Sequence, residues 1–332
     1  MRAVTLSLAI CGLILGTALI GYFGFGGVAH ALLAIGWGGF LAIVAYHLVV
    51  IFLLGLCWYL LAPRSAPLIA FAFGRLVRDS GSELLPLSQV GGFVMGARAA
   101  ILLDLPSAIA IASTIVDVTM EMLAQLAYTA LGLGILAAQK PNTPLIAWAA
   151  LGIVLALLVA IVFILVQRHG FTMLGSMIRR VPHRWAKGIA SRLAPIQHAI
   201  REIYHRAGAL WSVSFLHFAM WVASGVETWI ALRFMGVNLS VSSVIVIESL
   251  IYAVRSIAFA VPSGLGVQEG TYVLLGMLFG FSPDVALGLS LLKRARDLVI
   301  GVPALLAWQV LESRRLVGGL IPVSVNARET GQ

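Results

Sequence analysis

Six apolar stretches, at residues 4–23, 40–61, 106–138, 145–166, 209–235 and 285–311, constrain this chain more than any motif does. About 20 apolar residues at a rise of about 1.5 Å each span the hydrocarbon of a bilayer as a helix. Inside that hydrocarbon, backbone polar groups must be satisfied within the segment, and runs of this length without alternation select helices over barrel strands. The expected fold is all-α: one transmembrane domain over residues 1–332, a polytopic membrane protein with about six full transmembrane helices. Composition agrees, because 61% of the residues are hydrophobic and 11% charged, a balance that excludes a water-soluble globular domain. Residues 1–24 combine Arg2 with an apolar run and small residues near Ala29. The run exceeds a signal-peptide core, so a retained first helix is expected. Cys11 and Cys57 sit in apolar spans as small hydrophobes, and no disulfide is expected.

The net charge of +9 is concentrated rather than spread. Arg168, Arg179, Arg180, Arg184, Lys187, Arg192, Arg201 and Arg206 lie between Val166 and Ala209, opposed by Glu202 alone. Positive loops stay on the cytoplasmic side, so the loop 168–206 is expected inside, with anionic inner-leaflet headgroups as its partner and no nucleic acid required. Within it Ile189, Leu193, Ile196, Ile200 and Ile203 recur at helical spacing. They predict an amphipathic helix lying on the inner leaflet, kinked at Pro195.

Counting crossings outward from that loop places the end of 40–61 and the start of 106–138 inside. The stretch 65–105 must then enter and leave on one side. It holds a short apolar run, the polar "RDSGSELLP" and a glycine-rich run with Arg98, which predicts a re-entrant helical hairpin. The stretch 240–281 reads the same way, entered from outside. An ungapped shift of 177 residues superposes Val77-Arg78 on Val254-Arg255, Val90 on Val267, Pro106 on Pro283 and Ser113 on Ser290. The chain therefore reads as two inverted repeats, about 40–138 and 209–315, an architecture common in alternating-access transporters. Asp104 and Ser282, each just before a proline that opens a long span, read as helix-start signals. Both termini are expected in the cytoplasm.

Charges inside the apolar spans need pairing or water, since one at mid-membrane costs roughly 2.5–3.5 kcal/mol. In "IVDVTMEMLAQ", Asp117, Glu121 and Gln125 line one helical stripe with Thr114 and Tyr128. Glu248, Tyr252 and Arg255 share another face. The 177 shift sets Asp117 against Arg294, in "LLKRARDL". Pairs that merely fix helix packing are one reading. The number of charges favours a polar cavity lined by Arg78, Arg98, Asp117, Glu121, Gln125, Glu248, Arg255, Gln268, Glu269, Arg294 and Asp297, with Gly81, Gly91, Gly92, Gly264 and Gly266 as re-entrant glycines. Glu227 stands alone in its span.

"PSGLGVQEG", through Pro262, Gly264, Leu265, Gly266, Val267 and Glu269, resembles the glycine-rich entry of the flippase-like bacterial membrane family that includes the transmembrane domain of lysylphosphatidylglycerol synthases. "SELLPLSQVGGFVMGARAA" and "STIVDVTMEMLAQLAY" resemble its hopanoid-biosynthesis-associated type. The first repeat departs from the family's Pro-Gly-x-x-Gly-Glu entry, having Ser80-Gly81-Ser82-Glu83 there. The resemblance implies a bacterial cytoplasmic-membrane protein that translocates lipid, hopanoids or another amphiphile, and not lysyl transfer. Asp117 and Glu121 would then meet a cationic or hydroxyl headgroup, while Arg255 and Arg294 would take phosphate or hold carboxylates. No cofactor or metal is expected: the seven histidines form no HExxH, and Gly-x-Gly-Asp and Asp-rich prenyl-transfer motifs are absent. His169, His183, His198 and His205 read as solvated loop. An intramembrane lipid-modifying enzyme and a non-transporting assembly factor docked through the basic loop are the alternatives.

Overall fold

A computed structural model describes residues 35–62, 65–85, 88–141, 183–258 and 264–318, with Leu33, Val261 and short helical pieces between 146 and 165. The expected span 4–23, most of the loop before His183, and Cys11 lie outside the described residues, as do Pro262 and Ser263. The described residues form helices and no strand: α1 (Gly36–Leu61), α2 (Leu68–Leu84), α3 (Ser88–Leu102), α4 (Ser107–Gln139), α5 (His183–His205), α6 (Ala207–Phe234), α7 (Val241–Ile257), α8 (Val267–Phe279) and α9 (Pro283–Gly318). Three of them, α1, α4 and α6, are long and apolar enough to cross a membrane. The longest, α9, carries Lys293, Arg294, Arg296 and Asp297 across its middle. The four short helices hold 13 to 17 residues, or about 20–25 Å at the α-helical rise, less than a bilayer's hydrocarbon.

Cross-links at the helix ends sort the molecule into two poles. At the basic pole, Arg206 before α6 donates to the carbonyls of Leu61 and Leu60 at the end of α1. Arg315 of α9 donates to the Ile101 carbonyl, and Arg98 of α3 is paired with Glu312. At the other pole, Gln139 of α4 bonds Ser242 and Ser243 of α7, and Lys140 lies over the Phe279 ring of α8. The hairpin α2–α3 therefore opens to the basic pole and α7–α8 to the opposite one. Their tips meet in between, where Arg255 grips Glu83 at 2.7 Å. Packing is reciprocal as well: α2 lies on α9, α7 lies on α4, and α1 lies along α6.

The amphipathic stretch forms the helix α5, part of which packs on protein. Ile200 and Ile203 of α5 are buried with Cys57, Leu61, Ala112, Val116 and Val213. Ile200 and Ile203 find protein surface at the bundle's end, where α1, α4 and α6 leave a matching apolar patch. Its Arg201 and Glu202 face outward. The helix runs through Pro195.

Three local expectations also change. The polar run Ser80-Gly81-Ser82-Glu83 is not the break of the first hairpin: α2 continues to Leu84. Ser80 returns its hydroxyl to the Leu76 carbonyl at 2.6 Å, and Gly81 sits against Met95 of α3. Gly91 and Gly92 likewise lie inside α3, and Gly92 brings that helix onto the Arg78 carbonyl and Ser82. These glycines permit close helix approach, as small residues do in membranes. The break glycines of the second hairpin are conformational: Gly264 has φ +57° and Gly266 +75°, a region that side-chain-bearing residues avoid. Ser282 does cap α9, accepting from the Val285 N–H at 3.5 Å. Asp104 does not cap α4, whose N-cap is Pro106. It turns the chain at φ +67°, as Asp tolerates.

The α2–α3 seam supplies a test. A Cβ on Gly96 would lie 2.6 Å from the Arg78 Cβ and 2.7 Å from the Gly74 carbonyl oxygen. Gly96→Ala is expected to destabilise the protein by about 1–3 kcal/mol through overpacking. Gly134→Ala, with nothing within 4 Å, is expected to be neutral or stabilising by up to about 1 kcal/mol. Denaturant titration of the two variants in detergent reads the contrast, and equal stability would contradict the seam.

Candidate functional site

Two elements, α2 and α6, converge on Asp117 and Glu121 of α4. Arg75 and Arg78 reach it from one face of α2, three residues apart. Arg75 forks onto both oxygens of Glu121, at 3.0 and 2.7 Å, and also holds Asp79 at 2.9 Å. Arg78 divides its guanidinium between Asp117, at 2.7 Å, and Glu121, with its carbon 4.5 Å from the Phe93 ring centre. From α6, His217 Nε2 lies 3.0 Å from the other Asp117 oxygen. Asp117 and His217 are 0% exposed and Glu121 15%. Two- and three-fold engagement of each carboxylate is what permits burial at this depth, since a buried charge stripped of its partners is strongly destabilising.

The second half builds three such groups. Lys293 of α9 is 2.7 Å from Glu248 of α7, which also accepts from the Tyr272 hydroxyl, and the ammonium lies over the rings of Tyr252 and Tyr272. Glu269 accepts from Arg294 Nε at 2.7 Å, from Ser290 at 2.9 Å and from the Gly266 N–H at 2.8 Å. It thereby caps α8 while Gln268 donates to Ser290. Arg296 bonds Glu227 of α6 and Asp297, and His47 Nδ1 of α1 is 2.8 Å from Glu227.

Between the halves, Glu83 and Arg255 join the hairpin tips, 30% and 16% exposed at the side chain. A turn along α4, Gln125 donates to the Tyr252 carbonyl at 3.2 Å and to Ser256 at 2.6 Å on α7. Trp221 of α6 packs edge-on to Tyr252 and stacked on Tyr128. Gly264 approaches Arg255 closely enough that a Cβ would sit 3.2 Å from its Nε.

The structure thus joins Arg78 to Asp117 and Glu121, Glu83 to Arg255, and Arg294 to Glu269, with Gln268 reaching Glu269 through Ser290. It does not set Asp117 opposite Arg294: the Arg75 and Arg78 side chains reach Asp117 from α2, while Arg294 is held by Glu269 of α8. Arg98 leaves the group altogether, since at the basic pole its partner is Glu312. Residues expected to line a polar cavity hold one another in this structure. Arg75, His217 and His47 were not among the candidates. Their signals were present in "GRLVRDS", where Arg75, Arg78 and Asp79 fall on one face, and in single histidines inside the apolar spans "AYHLVV" and "SFLHFAM".

Short helices in opposed hairpins, with charges concentrated where their tips meet, define a polytopic α-helical membrane protein built around a mid-molecule ionic site. The sequence matches the family described as the lysylphosphatidylglycerol synthase TM region over residues 4–304. The chain belongs to that family, whose description ties it to membrane lipid metabolism. Comparison with curated proteins returned no match, and comparison with solved structures returned none.

Proposed function

We propose that this protein moves an amphiphilic lipid between leaflets of the bacterial cytoplasmic membrane, and that it performs no covalent chemistry on it. The observation that carries the reading is the meeting of two oppositely opening hairpins at Glu83–Arg255, inside a belt of ion pairs. On this reading the two halves are inverted repeats with re-entrant hairpins. The headgroup passes the tips by exchanging ion-pair partners, while its tail stays in lipid alongside the exposed apolar faces of the bundle. Glu83, Glu121, Arg255 and Arg294 are among the groups that retain some exposure, with Asp79, His47 and Asp297, and these are the first to meet a headgroup. Hopanoids and their polar precursors fit as cargo through the resemblance of the first half.

Purified protein in liposomes, tested for movement of labelled lipids, is expected to transport at least one class above empty vesicles. Glu121→Gln and Arg294→Gln are expected to slow it at least about fivefold. Transport at the wild-type rate in both variants would remove the ionic site from function, and no transport of any lipid would favour the assembly-factor reading. Orientation has its own test. In a background lacking Cys11 and Cys57, cysteines at Asn238 and Arg314, both exposed and at opposite poles, are expected to react with an impermeant thiol reagent from opposite sides, Arg314 from the cytoplasm. Labelling of both from one side would end the proposed topology.

A further inference from the structure

The ion pairs divide into groups whose charges can be compared. Lys293–Glu248, Arg294–Glu269 and Arg255–Glu83 each match one cation with one carboxylate. Two groups do not balance. Arg75 and Arg78 serve three carboxylates, Asp79, Asp117 and Glu121. Arg296 serves two, Glu227 and Asp297. Each of these groups is one cation short, and each contains one histidine hydrogen-bonded to its most buried carboxylate: His217 on Asp117 and His47 on Glu227.

We infer that His217–Asp117 and His47–Glu227 are two one-proton sites through which a proton gradient drives this protein, an inference that rests on the translocation reading. An ionised carboxylate only accepts, so the neutral imidazole presents an N–H to it, from Nε2 in His217 and from Nδ1 in His47. The opposite ring nitrogen then holds the lone pair that takes a proton. In His217 that atom, Nδ1, is buried without a hydrogen-bond partner. Protonation makes each group neutral, and loss of the proton leaves one uncompensated negative charge in a low-dielectric setting, which favours rearrangement or a new partner. His47 is 20% exposed at the side chain, whereas His217 is sealed. One site partly exposed and one sealed is the asymmetry that vectorial coupling needs.

The surroundings support these assignments. Around His217, α4 presents Asp117 and Glu121, α2 presents Arg75 and Arg78, and α1 brings Cys57 near Asp117. On α7 the titratable neighbour of α6 is Tyr252, bonded to Ser224, while α5 meets α6 through apolar residues. Around His47, α6 presents Glu227, α9 presents Arg296, Lys293 and Asp297, and Tyr46 of α1 itself donates to the Ala223 carbonyl. Against α1, α2 brings the apolar Leu76 beside Val44 and Ile51 and Ala72 at Gly55, and α4 packs farther along at Trp58.

The experiment uses the full chain in liposomes, with a labelled amphiphile, an internal pH dye and an imposed pH difference of two units. Wild type is expected to move lipid at least about fivefold faster with the gradient than without it, with acidification or alkalinisation of the lumen accompanying the movement and a protonophore abolishing the difference. His47→Gln and His217→Gln are each expected to bring that ratio to within about twofold of one. A wild-type ratio of one, or dependence on a sodium gradient instead, overturns the proton sites while lipid movement stands. If no lipid moves, the ring-nitrogen NMR signals of His47 and His217 in the wild-type protein decide alone. Titration of both between pH 5 and 8 keeps the proton sites and discards transport, and a fixed protonation state of either overturns the inference.

Discussion

Replacing Arg78 with leucine is expected to cost about 3–5 kcal/mol of folding free energy, the range found when one partner of a buried ion pair is removed. Arg78 is 5% exposed at the side chain and serves Asp117, which is wholly buried, together with Glu121. Without it, Arg75 alone would face three carboxylates. Arg78→Lys keeps the charge but not the planar fork or the stacking on Phe93, and is expected to lose roughly 1–3 kcal/mol. The combination Arg78→Leu with Asp117→Asn, which removes a carboxylate along with its cation, is expected to regain at least half of the loss. Unfolding by denaturing detergent in mixed micelles measures all three, and a leucine variant within about 1 kcal/mol of wild type would mean that the pair contributes nothing.

Reversing the charge at the hairpin tips is the second large effect. Arg255→Glu places two carboxylates where a guanidinium now grips Glu83 at 2.7 Å. Unit charges about 4 Å apart interact by about 4 kcal/mol at an effective dielectric near 20, and the partial exposure of both side chains reduces that. Enough remains to depopulate the tip-to-tip arrangement. Lipid movement in liposomes is expected to fall at least about tenfold in Arg255→Glu. It is expected to return to within about threefold of wild type when Glu83→Arg is added. Failure of the swap to restore movement, with both proteins folded, would mean that the contact between tips is incidental.

The physical neighbourhood of each helix explains which expectations survived. Length and apolarity made α1, α4 and α6 readable, because a segment that must satisfy its backbone alone carries that requirement in its own sequence. The broken character of 65–105 was also readable, but the break is narrower than its polar run, since α2 continues to Leu84 and α3 starts at Ser88. Serine and glycine at residues 80–82 resemble a turn until α3 is seen lying against them, where the same small side chains serve as a packing surface. The stripe Asp117–Glu121–Gln125 was visible as helical spacing. Its partners were not, since helical spacing says which face carries a charge and nothing about which helix will cover that face. The 177-residue shift aligned Asp117 with Arg294, yet an alignment along the sequence is not a contact. Asp117 is held by Arg75 and Arg78 of α2 and by His217 of α6, and Arg294 by Glu269 of α8.

By itself, the sequence determined that the chain is helical and membrane-embedded, that its spans carry charges needing compensation, and that two stretches are too broken to cross as ordinary helices. Those properties follow from local composition and from the absence of water in hydrocarbon. Only the tertiary structure decided which charge meets which: Arg75 and Arg78 on α4's stripe, Glu83 on Arg255, and a histidine in each group that lacks a cation. Ion pairing at this depth depends on approach within about 3 Å between segments up to 180 residues apart. That distance is set by the packing of all the helices together.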